Sequence, residues 1–530
     1  MSLFLTLLLV AVPGLPLVAG LLARSCGAAA AGRLTIRAAQ AAAVLALLGV
    51  GALGLLGPHT VRWAPGGTDA ALAFALRLDA VSAVMIGLIT FLGAVVLRFS
   101  RRYLAGDARQ AGFFSWMSLT LGSVLLMVLA GHLLLLLAAW IATSLCLHRL
   151  LLHYPDRAGA VFSARKKFVV SRAGDACLLA AALVLHAHYG TFDLEAILAA
   201  VGVGATDGLG LAGGLLAACA MLKSAQFPFH SWLPDTMETP TPVSAFMHAG
   251  IINAGGFLLV RLAPVLAAAP GASALLAIVG ALTAAFGALV MLAQPGVKRA
   301  LAYSTIAQMG FMILQCGLGA YGLALLHLCA HSLYKAHAFL TAGSTIGAVP
   351  RAALPLRTPA LTVGVLAGGV LVALGVTAMH LLAPSHQAYP AVFGVVLALA
   401  VAYVIARAWS AGGGPRVIAR GVAVAGLVTG LSFGLHAGAA LLFRQLPAGD
   451  PPRAVVIAVG AVFAALFLAQ SLLWRAGRRA WSRRLYVHVL NGFYLGTFFN
   501  RLLGRLWPGE SQAAYSSCPV PTLPPLRRPV

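Results

Sequence analysis

The chain has 530 residues, of which 61% are apolar and 9% charged, and its mean hydropathy is +0.94. Apolar runs of the roughly 20 residues needed to cross a bilayer recur almost end to end, which excludes a string of soluble domains, and the alternating ten-residue strands of a membrane β-barrel are absent. The formal charge of +24 does not mark a nucleic-acid binder; the Lys and Arg residues cluster between spans, as cytoplasmic loops do, so the expected surroundings are membrane lipid with no nucleic acid.

The fold class expected is an all-α polytopic membrane protein with about 14–15 transmembrane helices. In chain order, spans are predicted over residues 2–23, 38–57, 80–98, 112–130, 132–153, 168–188, 209–226, 242–262, 272–294, 300–319, 321–347, 360–383, 389–409, 419–443 and 453–474. The first lacks a basic leader and runs long, so it reads as a membrane helix rather than a cleaved signal. Residues 58–79 carry turn signals and read as a loop. Basic clusters such as Arg24 to Arg37, Arg101 to Arg109, Arg149 to Arg172 and Arg475 to Arg484 fall on one side. The N-terminus is therefore expected outside and the C-terminus inside, on the cytoplasmic face. Seven scattered cysteines with no CxxC spacing indicate neither a disulfide framework nor a zinc site, and no cofactor or metal is expected in this chain.

Lys223 sits where a charge should not, at the end of the span GLLAACAMLK. An ammonium there costs several kcal/mol unless it faces the protein interior or water. Pro228 and Pro234 follow and break the helix, and broken backbone at membrane depth also needs such a cavity. Charge and break together read as an ion or proton path, with residues 226–241 as the connection. Glu238, within it, is a loop acid or a gate.

Asp175 is the one acid placed well inside a span, three residues after Arg172 on the same helix face. It reads either as half of a helix-end ion pair or as an acid that tunes Lys223 across the bundle. His248 lies about one turn into the next helix, close enough in sequence terms to accept a proton from Lys223. Farther on, His327, His331 and Lys335 follow one another at i, i+4 and i+8, a polar stripe suited to passing protons. Haem would require facing histidines such as His132, His248 and His380 and would leave Lys223 and Lys335 unexplained. Past residue 475, aromatic and aliphatic residues alternate with Arg and Asn. That pattern suits a helix lying on the membrane surface or one that docks a soluble partner.

Three stretches, KSAQFPFHSWLPDTMETPTPVSAFMHAG, QPGVKRALAYSTIAQMGFM and AHSLYKAHAFLTAGS, resemble the antiporter-like membrane subunits of respiratory complex I and of multisubunit cation/proton antiporters. The resemblance implies two inverted five-helix repeats with broken helices. It makes Lys223 the broken-helix lysine, His248 the bridging histidine, Lys335 a central-axis lysine with His331 beside it, and Lys298 the lysine of the QPGVKRALAYST motif in a structural setting. Two of the family's charged stations are missing: Trp140 is followed by Ile141 instead of glutamate, and residues 358–406 hold no lysine or acid, only His380 and His386. The division implied is N-terminal spans 1–111, a first repeat 112–262, a diverged second repeat 272–410, C-terminal spans 411–475, a docking segment 476–508 and a disordered tail 509–530.

The segments METPTPVSAFMHAGIINAGGFLLVRLAP and LYVHVLNGFYLGTFFNRL are similar to a narrower branch, the membrane subunit of the two-component dissolved inorganic carbon accumulation complex of bacteria. That likeness implies a large soluble partner with a zinc-containing, carbonic-anhydrase-like site. Flow of H⁺ or Na⁺ through this chain would drive the partner's one-way hydration of CO2, leaving catalysis to the partner. The alternative is a proton-pumping subunit of a complex I-type oxidoreductase or a cation/proton antiporter.

Overall fold

The computed structural model describes residues 2–63, 74–345, 358–382, 391–411, 414–449, 451–475 and 480–506. His386 and the tail from residue 507 lie outside them, as does the side chain of His380. The chain folds as helices α1 Ser2–Leu22, α2 Ala28–Leu56, α3 Ala80–Tyr103, α4 Gln110–Leu129, α5 Leu133–Leu151, α6 Ala158–Tyr189, α7 Leu194–Gly202 and α8 Leu209–Lys223. The short pieces α9 Trp232–Asp235, α10 Thr241–Ala249, α11 Ala254–Arg261 and α12 Ala263–Ala267 follow. Then come α13 Pro270–Ala293, α14 Val297–Gly317, α15 Tyr321–Leu340, α16 Thr358–Leu382, α17 Ala391–Ser410, α18 Gly414–Leu442, α19 Arg453–Arg475, α20 Ala480–Leu490 and α21 Leu495–Gly504.

Among the described residues, 12 helical runs are long and apolar enough to cross a membrane, α10 and α11 counting together as one. Three further helices match predicted spans but fall outside that number. α8 is only 15 residues long and ends on Lys223, while α14 and α15 are diluted by Lys298, two glutamines, three histidines and Lys335. These three helices carry Lys223, Lys298, His327, His331 and Lys335.

Two predicted spans begin late. α2 starts at Ala28 and α6 at Ala158, each ten residues before the apolar run. At 1.5 Å per residue the 32 residues of α6 extend for about 48 Å, well beyond a hydrocarbon core of about 30 Å. A hydropathy reading trims such polar turns although the helix continues through them. The loop expected at 58–79 contains a two-stranded antiparallel hairpin, β1 His59–Trp63 and β2 Phe74–Leu78, in register His59 to Leu78. Its Arg62 reaches Asp193 at 3.0 Å and Glu195 at 2.5 Å, tying the hairpin to α7.

The run from Thr241 to Arg261 is buried at every position except Gly250, so α10 and α11 form the axis of the first half. Small residues allow helices to approach closely where no hydrophobic force drives them together. A Cβ on Gly310 of α14 would lie 2.5 Å from the backbone of Ala284 on α13, and one on Gly255 of α11 2.4 Å from Ser224 Oγ beyond α8. In the second half α16, α17, α18 and α19 run without interruption over their described lengths.

Candidate functional site: a buried polar line through the first half

The break occurs as the prolines suggest, and a few residues earlier than expected. α8 stops at Lys223, and Ala225 adopts a left-handed conformation at φ 50°, unfavourable for a residue with a Cβ. The peptide before Pro228 is cis. Pro234 lies inside the one-turn helix α9, and both prolines sit in the connection that turns the chain back toward α10.

Lys223 is buried, its Nζ has no protein hydrogen-bond partner, and the ammonium rests 4.5 Å above the Trp140 ring of α5. A cation over an indole face is held by the ring quadrupole. This is the position beside which Ile141 replaces an acid. The carboxylate in electrostatic reach is instead Asp175 on α6, where Gly174 packs against Cys219 and Leu222 of α8. Arg172 Nη2 approaches Asp175 Oδ2 to 2.6 Å, a charge contact without hydrogen-bond alignment. Asp175 thus has Arg172 and Lys223 as charged neighbours.

The neighbouring Lys167 went unnoticed in the sequence because Arg149 to Arg172 looked like one loop cluster. It is buried inside α6, within electrostatic reach of Lys223, and its Nζ donates to the Ser144 carbonyl at 2.9 Å and hydroxyl at 2.8 Å. Lys166, also buried, reaches Asp235 at 2.8 Å and Asn500 at 2.6 Å. The available signal was a Lys-Lys pair only a few residues ahead of an apolar run.

His248 does not receive a hydrogen bond from Lys223, since Lys223 Nζ makes none. Its Nδ1 is 3.0 Å from Thr305 Oγ1 on α14, its ring stacks on Phe339 with centroids 4.5 Å apart, and it feels the charge of Lys335 on α15. The ground between is bridged at the interruption of the central helix. Here Ile251–Asn253 form a 3-10 turn that frees backbone groups. Ser224, next to Lys223, donates to the Ile252 carbonyl at 2.8 Å, and Asn253 Nδ2 reaches Ser332 Oγ on α15 at 2.8 Å. Ser332 follows His331 in sequence. Sequence reasoning missed Asn253, although its amide was the one polar group in an otherwise apolar, glycine-rich segment.

On α15, His327, His331 and Lys335 follow one another on successive turns. His331 is buried with both ring nitrogens unpartnered, within electrostatic reach of His248, His327 and Lys335. Lys335 donates to the Leu301 carbonyl at 3.1 Å. His327 faces the amide oxygens of Gln315 and Gln308, each at 2.8 Å. Either amide can rotate to present its NH2 group, so the pair accommodates the neutral ring and the imidazolium alike. Buried polar atoms without a protein partner are normally satisfied by water or an ion. Lys223, Asn253, His248 and His331 each carry such an atom.

Other expected residues lie outside this set. Lys298 is half-buried in the first turn of α14. Glu238 is well exposed and lies 3.8 Å from Arg157, a loop acid in a surface pair. Among the described residues no group of three or more His, Cys, Asp or Glu is placed to hold a metal.

The tail folds back on the connection. α20 is anchored by Gln294, whose Nε2 donates to the Leu490 carbonyl at 2.9 Å. Phe493 and Tyr494 turn the chain at positive φ, and α21 then sets Asn500 on Lys166 and Phe499 against Phe229 at 5.9 Å.

A broken helix capped by a lysine, with a His/Lys stripe beyond it, defines an antiporter-like membrane subunit, and the relatives agree. Residues 130–362 match the family described as "NADH:quinone oxidoreductase/Mrp antiporter, TM", and residues 63–114 match "NADH-Ubiquinone oxidoreductase (complex I), chain 5 N-terminus". The fold resembles a chain of the Mrp complex from Dietzia sp. DQ12-45-1b with a TM-score of 0.58 at 26% identity, covering 98% of this chain and 58% of that one. More specifically, the chain is 39% identical to the "Probable inorganic carbon transporter subunit DabB2" of Halothiobacillus neapolitanus over 98% of its length and 97% of the relative's. The DabB protein of Hydrogenovibrio crunogenus is 37% identical over 81% of this chain and 82% of its own length. The chain belongs to the DabB family of inorganic carbon transporter subunits.

Proposed function

We propose that this protein is the ion-translocating membrane subunit that energises inorganic carbon accumulation by a soluble partner. The observation that carries the reading is Lys223, buried, free of hydrogen bonds and poised between Trp140 and Asp175 at the end of a broken helix. Ions, H⁺ or Na⁺, pass between the Lys223 group and the His248, His331, His327 and Lys335 group by way of Asn253. Trp140 and Asp175 take over the part that a glutamate at position 141 plays in complex I relatives. In this reading the chain lies in a bacterial inner membrane with its arginine-rich end and tail on the cytoplasmic side, as the clustering of basic residues supports. There α21 and the residues just after it present exposed Phe498, Leu502 and Leu506 to the partner, a zinc-containing carbonic-anhydrase-like subunit that does the chemistry. Each unit charge crossing 100 mV supplies about 2.3 kcal/mol, enough over a few charges to make a reversible hydration run one way.

The test is Lys223→Ala in a strain that depends on this system for inorganic carbon. Uptake should drop to background while the two subunits still co-purify; full uptake by the variant would refute the reading. A complex I or Mrp-type role has the family match over residues 130–362 in its favour. Recovery of six or more membrane partners, in place of one soluble zinc protein, would establish that role instead.

A further inference from the structure

A cleft of about 510 Å³ opens between α4, α5 and α6, lined by Trp116, Leu145, His148, Arg149 and Phe168, with His148 in electrostatic reach of Lys167 and Arg172. Its residues occupy the end of each helix near the arginine clusters: Trp116 two turns into α4, and Leu145 to Arg149 in the last two turns of α5. Two cations share the Trp116 ring, Arg24 with its guanidinium carbon 4.4 Å from the centroid and Arg149 at 5.8 Å. Neither has a carboxylate within 4 Å among the described residues. His148 Nδ1 is buried there without a hydrogen-bond partner. Leu145, at 43% exposure, opens the cleft toward the surrounding lipid.

Two unpaired guanidiniums, an imidazole and an interfacial tryptophan beside an apolar wall match one ligand chemistry, a phosphate ester carrying hydrocarbon. Arginine presents its N–H groups as a planar fork that fits phosphate oxygens, tryptophan seats at headgroup depth, and basic pockets between membrane helices take anionic headgroups. We propose that this cleft is a binding site for an anionic phospholipid, its phosphodiester held by Arg24 and Arg149 and its acyl chain lying along Leu145 and Phe168. Phe168 follows Lys167 directly and supports the Arg172 guanidinium at 5.1 Å from its ring. The bound headgroup therefore stands next to the helix that serves Lys223.

The experiment uses the full chain, delipidated in detergent and titrated with phosphatidylglycerol or phosphatidylcholine under native mass spectrometry, with inorganic phosphate as a separate arm. The expected result is saturable phosphatidylglycerol binding that the pair Arg24→Gln and Arg149→Gln weakens by about thirtyfold. Arg101→Gln, at the same end but outside the cleft, should leave it unchanged. Arg149→Gln alone, at an exposed helix end, should give about a fivefold loss even if the double variant does not fold. Equal retention of phosphatidylglycerol by the Arg variants and the parent overturns the proposal. Displacement of the lipid by millimolar inorganic phosphate also overturns it and assigns the cleft to soluble phosphate.

Discussion

In the proposed ion path, Asn253 is the residue that links the two polar groups. Its amide joins the interruption of the central helix to Ser332, and its Oδ1 is buried without a protein partner. Asn253→Ala should lower ion-coupled carbon uptake by about tenfold, the equivalent of one hydrogen bond, with expression unchanged. A Lys223-like total loss, or no loss, would place the crossing elsewhere. At the other end of the bundle Asp79 caps α3 and holds Arg261 at 2.5 Å and Arg77 at 3.0 Å. Burial pushes its carboxyl pKa up, but Arg261 outweighs that with help from the Ser82 amide and Arg77, and the group ends at about 2. Because the folded state binds this proton less readily than the unfolded chain, the contribution is complete above about pH 4 and disappears as pH falls toward 2. Thermal unfolding in detergent should therefore be flat in pH from 5 to 7 for this group, with Asp79→Asn removing the acid-limb decline it causes. That variant should also cost about 3 kcal/mol by leaving Arg261 buried and unpaired.

At the level of helices, the packing that positions Lys223 depends on absent side chains. Gly255 lets α11 lie against Ser224 and the Ala220 carbonyl, the latter 2.7 Å from where a Cβ would sit. Gly255→Val should force the two helices apart and cost about 1–3 kcal/mol. It should be read as lost protein in membranes and a lower unfolding temperature; wild-type stability would show that the contact can yield. The charged stations of the first half could be read from sequence because a lysine or a histidine in an apolar run has few structural excuses. The break was announced by Pro228 and Pro234, and the stripe by the spacing of His327, His331 and Lys335. Lys166 and Lys167 were hidden because a hydropathy window sees a helix only where it meets lipid, and α6 carries them inside its polar first turns. Asn253 and the partnering of His248 with Thr305 depend on helix rotation and contacts between distant segments, which a single sequence does not encode locally. The hairpin His59–Leu78 was concealed by the turn residues around it.

For the whole molecule, α5 to α15 hold the buried polar groups described above, and α16 to α19 supply long helices uninterrupted over their described lengths. α20 and α21 lie across the end of the first half, against the connection that follows Lys223. Truncation after residue 479 should leave a membrane-inserted bundle but reduce uptake at least tenfold, about the effect of 1.4 kcal/mol lost at a coupling contact. Asn500→Ala should give a smaller fall of the same kind. If co-purification of the proposed soluble partner persists while uptake falls, the tail transmits; if both vanish together, it merely anchors.

Lys166 grips Asn500 with the same ammonium that holds Asp235, and Phe499 braces Phe229. In the function proposed above, a strap fastened at those points would act as a lever arm whose short end is the kinked segment behind Lys223. Displacement of the strap by a large body seated upon it would swing that segment, and recoil of the segment as a cation arrives would push the body in return. Work could thus pass between bilayer and cytosol by leverage alone, without any substrate threading the bundle.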